Sequence, residues 1–231
     1  MSGRIELNPV VEFYVRHQGI ISQADLTPVT VIGCGTSGTC LGLQLAKLGV
    51  PRLVLYDGDS VESHNLANQI FPRIAVGQKK ARVLADIIDW FSPTKLEVEV
   101  HEEEYRGQRI DTNIVFSCVD SFEARKRIFK NIVRQNVDWF IDTRMGGEYS
   151  EVWTIRVGNR RERAKYVESL SEDPLELPCT ARSVIYNGFG LASLASSIFV
   201  KILNKEGEMT PLKVGLDLRN YAPIYITPRG V

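Results

Sequence analysis

Four cysteines are all that this 231-residue chain has, and no two of them form a CxxC pair. A structural zinc of the usual four-ligand kind needs such pairs, so none is expected. Cys34, Cys40, Cys118 and Cys179 are then read as reduced thiols, which fits a cytoplasmic protein. Charge of one sign is also missing, because Lys plus Arg and Asp plus Glu each number 28. A balanced chain offers no electrostatic case for binding nucleic acid or an anionic membrane. The three histidines, His17, His64 and His101, show no metal spacing. No internal repeat and no low-complexity tract appears, and no basic segment followed by an apolar one marks a signal peptide. Only one long apolar run exists, Val184 to Leu203. It contains Asn187, three serines and two glycines, so a buried core helix is expected rather than a membrane span.

What is present is concentrated between Val29 and Lys80. The β-branched run Val29-Thr30-Val31-Ile32 leads directly into Gly33-Cys34-Gly35-Thr36-Ser37-Gly38. A helical pattern from Thr39 to Leu48 follows, then a strand from Arg52 to Tyr56 that ends at Asp57. Strand, GxGxxG, helix, strand and acid make the dinucleotide-binding βαβ fingerprint in its proper context. Gly33 permits the tight turn, Gly35 lets the backbone approach a phosphate, and Gly38 lets the helix sit close on the sheet. The free N–H groups at the helix start then face the anion. Asp57, about 20 residues past Gly38, stands where a carboxylate accepts from ribose hydroxyls. The motif implies adenosine and phosphate without separating NAD from ATP.

The rest of the chain alternates strands and helices, which predicts an α/β, Rossmann-like, doubly wound and mainly parallel sheet in a single domain over 1–231. Residues 1–28 are expected to form an N-terminal helical arm. Helices are expected over Lys79 to Phe91 and Phe122 to Arg134, and strands over Leu96 to His101, Ile114 to Val119 and Asp138 to Asp142. Glu151 to Val157 alternates polar and apolar residues, as antiparallel strands do, and Leu212 to Ile226 predicts one or two further antiparallel closing strands. The charged stretch 158–178, with Pro174 and Pro178, is read as an exposed crossing loop that runs on to 183.

In such a sheet the ligand sits beyond the carboxyl ends of the strands. Three polar clusters follow strands or open helices there: Asp57 to Gln69, Gly77-Gln78-Lys79-Lys80, and Asp120-Ser121 with Arg125 beyond. Hydride transfer needs no lysine or second aspartate around the phosphates. Phosphoryl and nucleotidyl transfer need both, as a cation for developing charge and a carboxylate for magnesium. These clusters resemble the ThiF/MoeB/ubiquitin-activating-enzyme superfamily of adenylating enzymes, whose pattern is GxGxxG, DxDxVxxSNLxRQ, GxxK and a strand ending in D-N/S. This chain offers Gly33–Gly38, Asp57-Gly-Asp59-Ser-Val61-Glu-Ser-His-Asn65-Leu66-Ala-Asn68-Gln69, Gly77-Gln-Lys-Lys80 and Asp120-Ser121, in the same order over about residues 29–125. Tyr14 to Gln18 is more weakly similar to the family's N-terminal arginine segment.

The resemblance implies roles. Asp57 would hold the ribose of ATP and Asn65 would contact the phosphates with Lys80, with Asp59, Asn68 and Gln69 around the nucleotide. Lys80 would stabilise charge at the α-phosphate, Asp120 would hold Mg²⁺, and Arg16 would reach across a homodimer to the γ-phosphate. Asn68 stands where the family has arginine, and Arg73 is the candidate replacement. Cys179, before Thr180 and Arg182, is the candidate thiol for an acyl thioester, and an inert thiol at a helix start is the alternative. Arg144 either binds a substrate anion or pairs with Asp142 or Glu148. Three activities follow as expectations: adenylation of the C-terminal glycine of a ubiquitin-like or sulfur-carrier protein, adenylation of a small-molecule or nucleoside carboxylate, and silent nucleotide binding as a partner subunit.

Overall fold

The computed structural model describes residues 13–170 and 183–229. Eight strands form one sheet in the order β3-β2-β1-β4-β5-β6-β7-β8. These are β1 Val29–Ile32, β2 Arg52–Tyr56, β3 Glu97–His101, β4 Ile114–Ser117, β5 Trp139–Gly146, β6 Tyr149–Arg156, β7 Lys213–Asp217 and β8 Ala222–Thr227. The first five pair in parallel, and β5 through β8 continue antiparallel. The expected fold class, including its antiparallel C-terminal strands, is therefore the observed one.

β1 and β4 are buried at every position because helices cover both faces of the sheet. Val29 and Val31 of β1, with Ile114 and Phe116 of β4, point into one core, whereas Ile32 and Val115 point into the other. The first core lies under α1 Thr36–Leu48, α2 Lys80–Phe91 and α5 Ile185–Leu203. The second lies under α3 Phe122–Ile132 and α4 Arg160–Ser169, where the Tyr166 ring packs edge-on against Phe129, Phe140 and Trp153. Each fully buried side chain of this size contributes about 2 kcal/mol. α5 is long and apolar enough to cross a membrane, yet Leu191, Ala195 and Phe199 are completely buried in the first core. Its Ser196 also donates to Gln44 of α1.

Two expectations need correction. Within the stretch read as an exposed loop, Arg160–Ser169 is helix α4, and 171–182 lie outside the described residues. Asn159 caps it by accepting from the N–H groups of Arg161 and Glu162, and the Glu162 carboxylate is clamped by Arg156 and Arg229. The described part of the N-terminal arm carries two single 3₁₀ turns, Val15–His17 and Gln23–Asp25.

Candidate active site

The order β2-β1-β4 places three strand ends side by side, and a cleft of about 710 Å³ opens above them. The glycine turn forms its floor. Gly33 has a φ of +97°, and a Cβ there would lie 2.8 Å from the backbone of Cys118 at the end of β4. Gly38 is tighter still, since a Cβ would sit 2.0 Å from the Gly33 carbonyl oxygen. Gly35 differs: nothing lies within 4 Å of its would-be Cβ, so its backbone faces the open cleft. Asp57 is fixed at both oxygens, Oδ2 accepting from Cys34 N at 2.6 Å and Oδ1 from Asp59 N at 2.8 Å. Burial pushes its carboxyl above the ordinary value, against the pull of those N–H groups and Lys80.

The loop after β2 is zipped to the start of α2. Val61 N donates to Gln78 O, Gly77 N to Val61 O, and Lys80 N to Asp59 O. That lacing directs the nearly buried Lys80 into the cleft, where Nζ meets Asp59 Oδ2 at 2.8 Å. Asn65 is buried in a 3₁₀ turn, Ser63–Ala67, and its Oδ1 accepts from Glu62 N in a capping box. Across the cleft, Ser121 caps α3 by accepting from Ala124 N, and this leaves the exposed Asp120 at the rim.

A second polar layer lies behind the cleft at β5. The fully buried Asp142 accepts from Arg125 Nε at 3.1 Å through one oxygen and from Arg144 Nε at 2.7 Å through the other. Arg125 lines the cleft, and its Nη2 also donates to Thr143 O. Arg144 turns away to Glu151 and Ser169, with its guanidinium over the rings of Phe122, Trp153 and Tyr166. The scaffold alternative for Arg144 is thus the one observed, with Glu151 rather than Glu148 as its second acid. Burial raises the thiols of Cys34, Cys40 and Cys118, to about 12 for Cys40 and about 11 for Cys118, so these three are inert packing groups.

The ThiF family profile matches residues 16–224. The chain belongs to the ThiF family. Over 129 residues it is 30% identical to ubiquitin-like modifier-activating enzyme 5 of Drosophila melanogaster, a match that takes in 48% of this chain and 32% of that protein. The corresponding enzyme of Culex quinquefasciatus is 26% identical over 131 residues, with the same shares. The matched part therefore spans about a third of those relatives. Among solved structures, E. coli MccB with ATP superposes with a TM-score of 0.76 at 18% identity, covering 99% of this chain and 74% of that one. PaaA superposes with a TM-score of 0.75 at 19% identity, covering 98% and 76%. Those two likenesses show the fold.

On this ThiF-family fold, Gly33, Gly35, Asp57, Asp59, Asn65, Asn68, Gln69, Lys80 and Asp120 all line the one cleft, as the sequence predicts. Gly38 acts from below, through helix packing. Arg73 does not line it: the residue is exposed on a separate 3₁₀ turn, Arg73–Ala75. Arg16 is likewise exposed and outside its own chain's cleft. Cys179 lies outside the described residues. Sequence reasoning missed Tyr105 and Ser183, which reach the cleft from segments with no motif of their own. It noted Arg125 without seeing Asp142 behind it, although an arginine one turn into a helix that starts at a strand end is a usable signal.

Proposed function

We propose that the chain uses ATP to adenylate a carboxylate, the C-terminal glycine of a ubiquitin-like or sulfur-carrier protein. A carboxylate oxygen attacks the α-phosphorus, the bond to the oxygen bridging to the β-phosphate breaks, and an acyl-adenylate and pyrophosphate form. One observation carries this reading: Asp57, Asn65, Lys80 and Asp120 converge on a single cleft at the ends of adjacent parallel strands. Asp57, held by two backbone N–H groups, has lone pairs left for ribose hydroxyls. The open backbone at Gly35 and the start of α1 receive phosphate oxygens. Lys80 holds a positive charge where negative charge builds up, and a preplaced cation of this kind is worth about two to three orders of magnitude in rate. Asn65 keeps its Nδ2 for a phosphate. The names of the relatives, a ubiquitin-like modifier-activating enzyme and an MccB solved with ATP, support the same direction.

The residues fit magnesium. Among the described residues no group of three His, Cys, Asp or Glu forms a cage. Mg²⁺ needs none when it is held by one carboxylate and by substrate phosphates, and the exposed Asp120 supplies that carboxylate. Such an ion would neutralise phosphate charge, while the chain's own residues orient the nucleotide. The reading also includes a cytoplasmic homodimer, in which Arg16 serves the partner's γ-phosphate. In a later step the Cys179 thiolate attacks the acyl carbon and AMP leaves.

ATP–pyrophosphate exchange with small carrier proteins ending in glycine tests the proposal. Exchange by the native chain, cut at least about 100-fold by Asp120→Ala, is expected. Absence of exchange with every carrier would favour a silent nucleotide-binding subunit, the reading that Asn68 in the family's arginine position supports.

A further inference from the structure

Asp120 is exposed at the cleft rim, and among the described residues no hydrogen bond or ion pair holds its carboxylate. Its place is therefore set by the backbone on either side, the end of β4 and the first turn of α3. Both are tied down from behind. Arg125, one turn into α3 and 3% exposed, donates from Nε to Asp142 Oδ1 at 3.1 Å and from Nη2 to Thr143 O at 2.9 Å. Asp142 cannot swing away, because Arg144 Nε holds its other oxygen at 2.7 Å. The buried Thr143 hydroxyl then lies 3.1 Å from Ser117 O, at the end of β4, and 3.3 Å from Ser37 Oγ. Ser37 lines the cleft in the first turn of α1, the helix start that faces a phosphate. One buried polar chain thus joins α3, β5, the end of β4 and α1.

A buried arginine is a costly way to pack a helix on a strand, because an apolar side chain of similar volume gives up no hydration. What the charged fork adds is direction: two bonds from one rigid plane fix the helix in both rotation and translation. In Thr143 the hydroxyl, not the methyl, is the part that reaches both β4 and α1. We propose that Arg125 and Thr143 are positioning residues, which set the Asp120 carboxylate against the phosphate-binding start of α1. The inference rests on the adenylation reading, in which Asp120 holds the nucleotide's magnesium. Asp120 and the N–H groups of α1 must then meet a single polyphosphate, one of them through the ion. A misplacement of about 1 Å between such groups costs on the order of 100-fold in rate.

The test is isothermal titration of the whole chain with a non-hydrolysable ATP analogue, with and without magnesium. Magnesium is expected to tighten binding to the native protein by about tenfold or more. In Thr143→Val and in Arg125→Met that gain should fall below about threefold, while magnesium-free affinity stays within about twofold of native. Thr143→Ser keeps the hydroxyl and should restore the gain. On an Asp120→Ala background, adding Thr143→Val should change magnesium-loaded affinity by less than about twofold, since both act through one carboxylate. A native-sized gain in Thr143→Val, no rescue by Thr143→Ser, or a further loss on the Asp120→Ala background would overturn the inference. So would a drop of about tenfold in magnesium-free affinity, which places these side chains on the nucleotide itself. A native chain that binds the analogue with no magnesium gain also overturns it and leaves nucleotide binding standing. Failure of the native chain to bind the analogue at all is a different result, and it removes the adenylation reading.

Discussion

Lys80 and Asp59 form a 2.8 Å ion pair on one wall of the cleft in which the lysine side chain is 11% exposed and the aspartate 73%. An incoming polyphosphate therefore competes with an exposed carboxylate for a cation that is already aimed. The pair itself adds little stability, because one partner is in water. Lys80→Ala is expected to reduce pyrophosphate exchange by about 100-fold or more and to move the melting temperature by less than about 4 °C. Lys80→Arg should not restore the rate, since a planar fork does not replace a compact ammonium in this lacing. Exchange assays and thermal melts of the two variants check this.

Asp57 predicts a pH dependence. Burial holds its carboxyl above the ordinary 3.8, and ribose hydroxyls bind the ionised form. Nucleotide affinity should fall as pH drops from neutral through that raised value. Asp57→Asn should bind about tenfold more weakly at pH 7, as expected for losing a charge-assisted hydrogen bond, and show a flatter profile. The linkage has the opposite sign for folding: a carboxyl raised in the native state favours stability at low pH and loses that contribution as pH rises. Titrations with AMP between pH 4.5 and 8 decide the point.

The glycines separate structure from binding. Gly38→Ala drives a Cβ to 2.0 Å from the Gly33 oxygen, and an overlap of this kind should cost about 3 kcal/mol or more, lowering the melting temperature by roughly 6–12 °C. Gly35→Ala meets nothing within 4 Å, so its stability should change by less than about 1 kcal/mol while nucleotide affinity drops. Melts and nucleotide titrations of both variants should give opposite rankings.

Glu162 predicts an acid-sensitive clamp. Burial pushes its carboxyl up, but Arg156 and Arg229 outweigh that and hold it below the ordinary 4.5. A lowered carboxyl contributes stability above its unfolded value and loses it as pH falls through its folded value. Glu162→Gln should cost about 3 kcal/mol at pH 7. The difference should shrink below pH 4.5, as read from urea unfolding at several pH values.

The nucleotide turn was legible in the sequence because its physics is local. Gly33 is demanded by its φ of +97° and Gly38 by its contact with Gly33 inside the same turn, and Asp57 follows directly from the end of β2. Helix α4 was hidden because Arg160–Ser169 has almost no apolar periodicity. Its stability comes from one buried ring, Tyr166, and from the distant Arg229 holding Glu162. The cap Asn159 with Glu162 three residues on was the signal available, and charge around it masked the pattern.

Sequence alone determined the parallel α/β class, the glycine turn and the succession of cleft residues, because periodicity and short-range sterics act between near neighbours. Only the tertiary structure decided what Asn68 touches. Asn68 meets Ser183, which in turn meets Thr36, Arg73 stays outside the cleft, and Asp142 is shared by Arg125 and Arg144 through the packing of α3 on β5. Those contacts join residues far apart in the chain, and they exist only once β1, β4 and β5 have paired in register and both helical layers have closed on them.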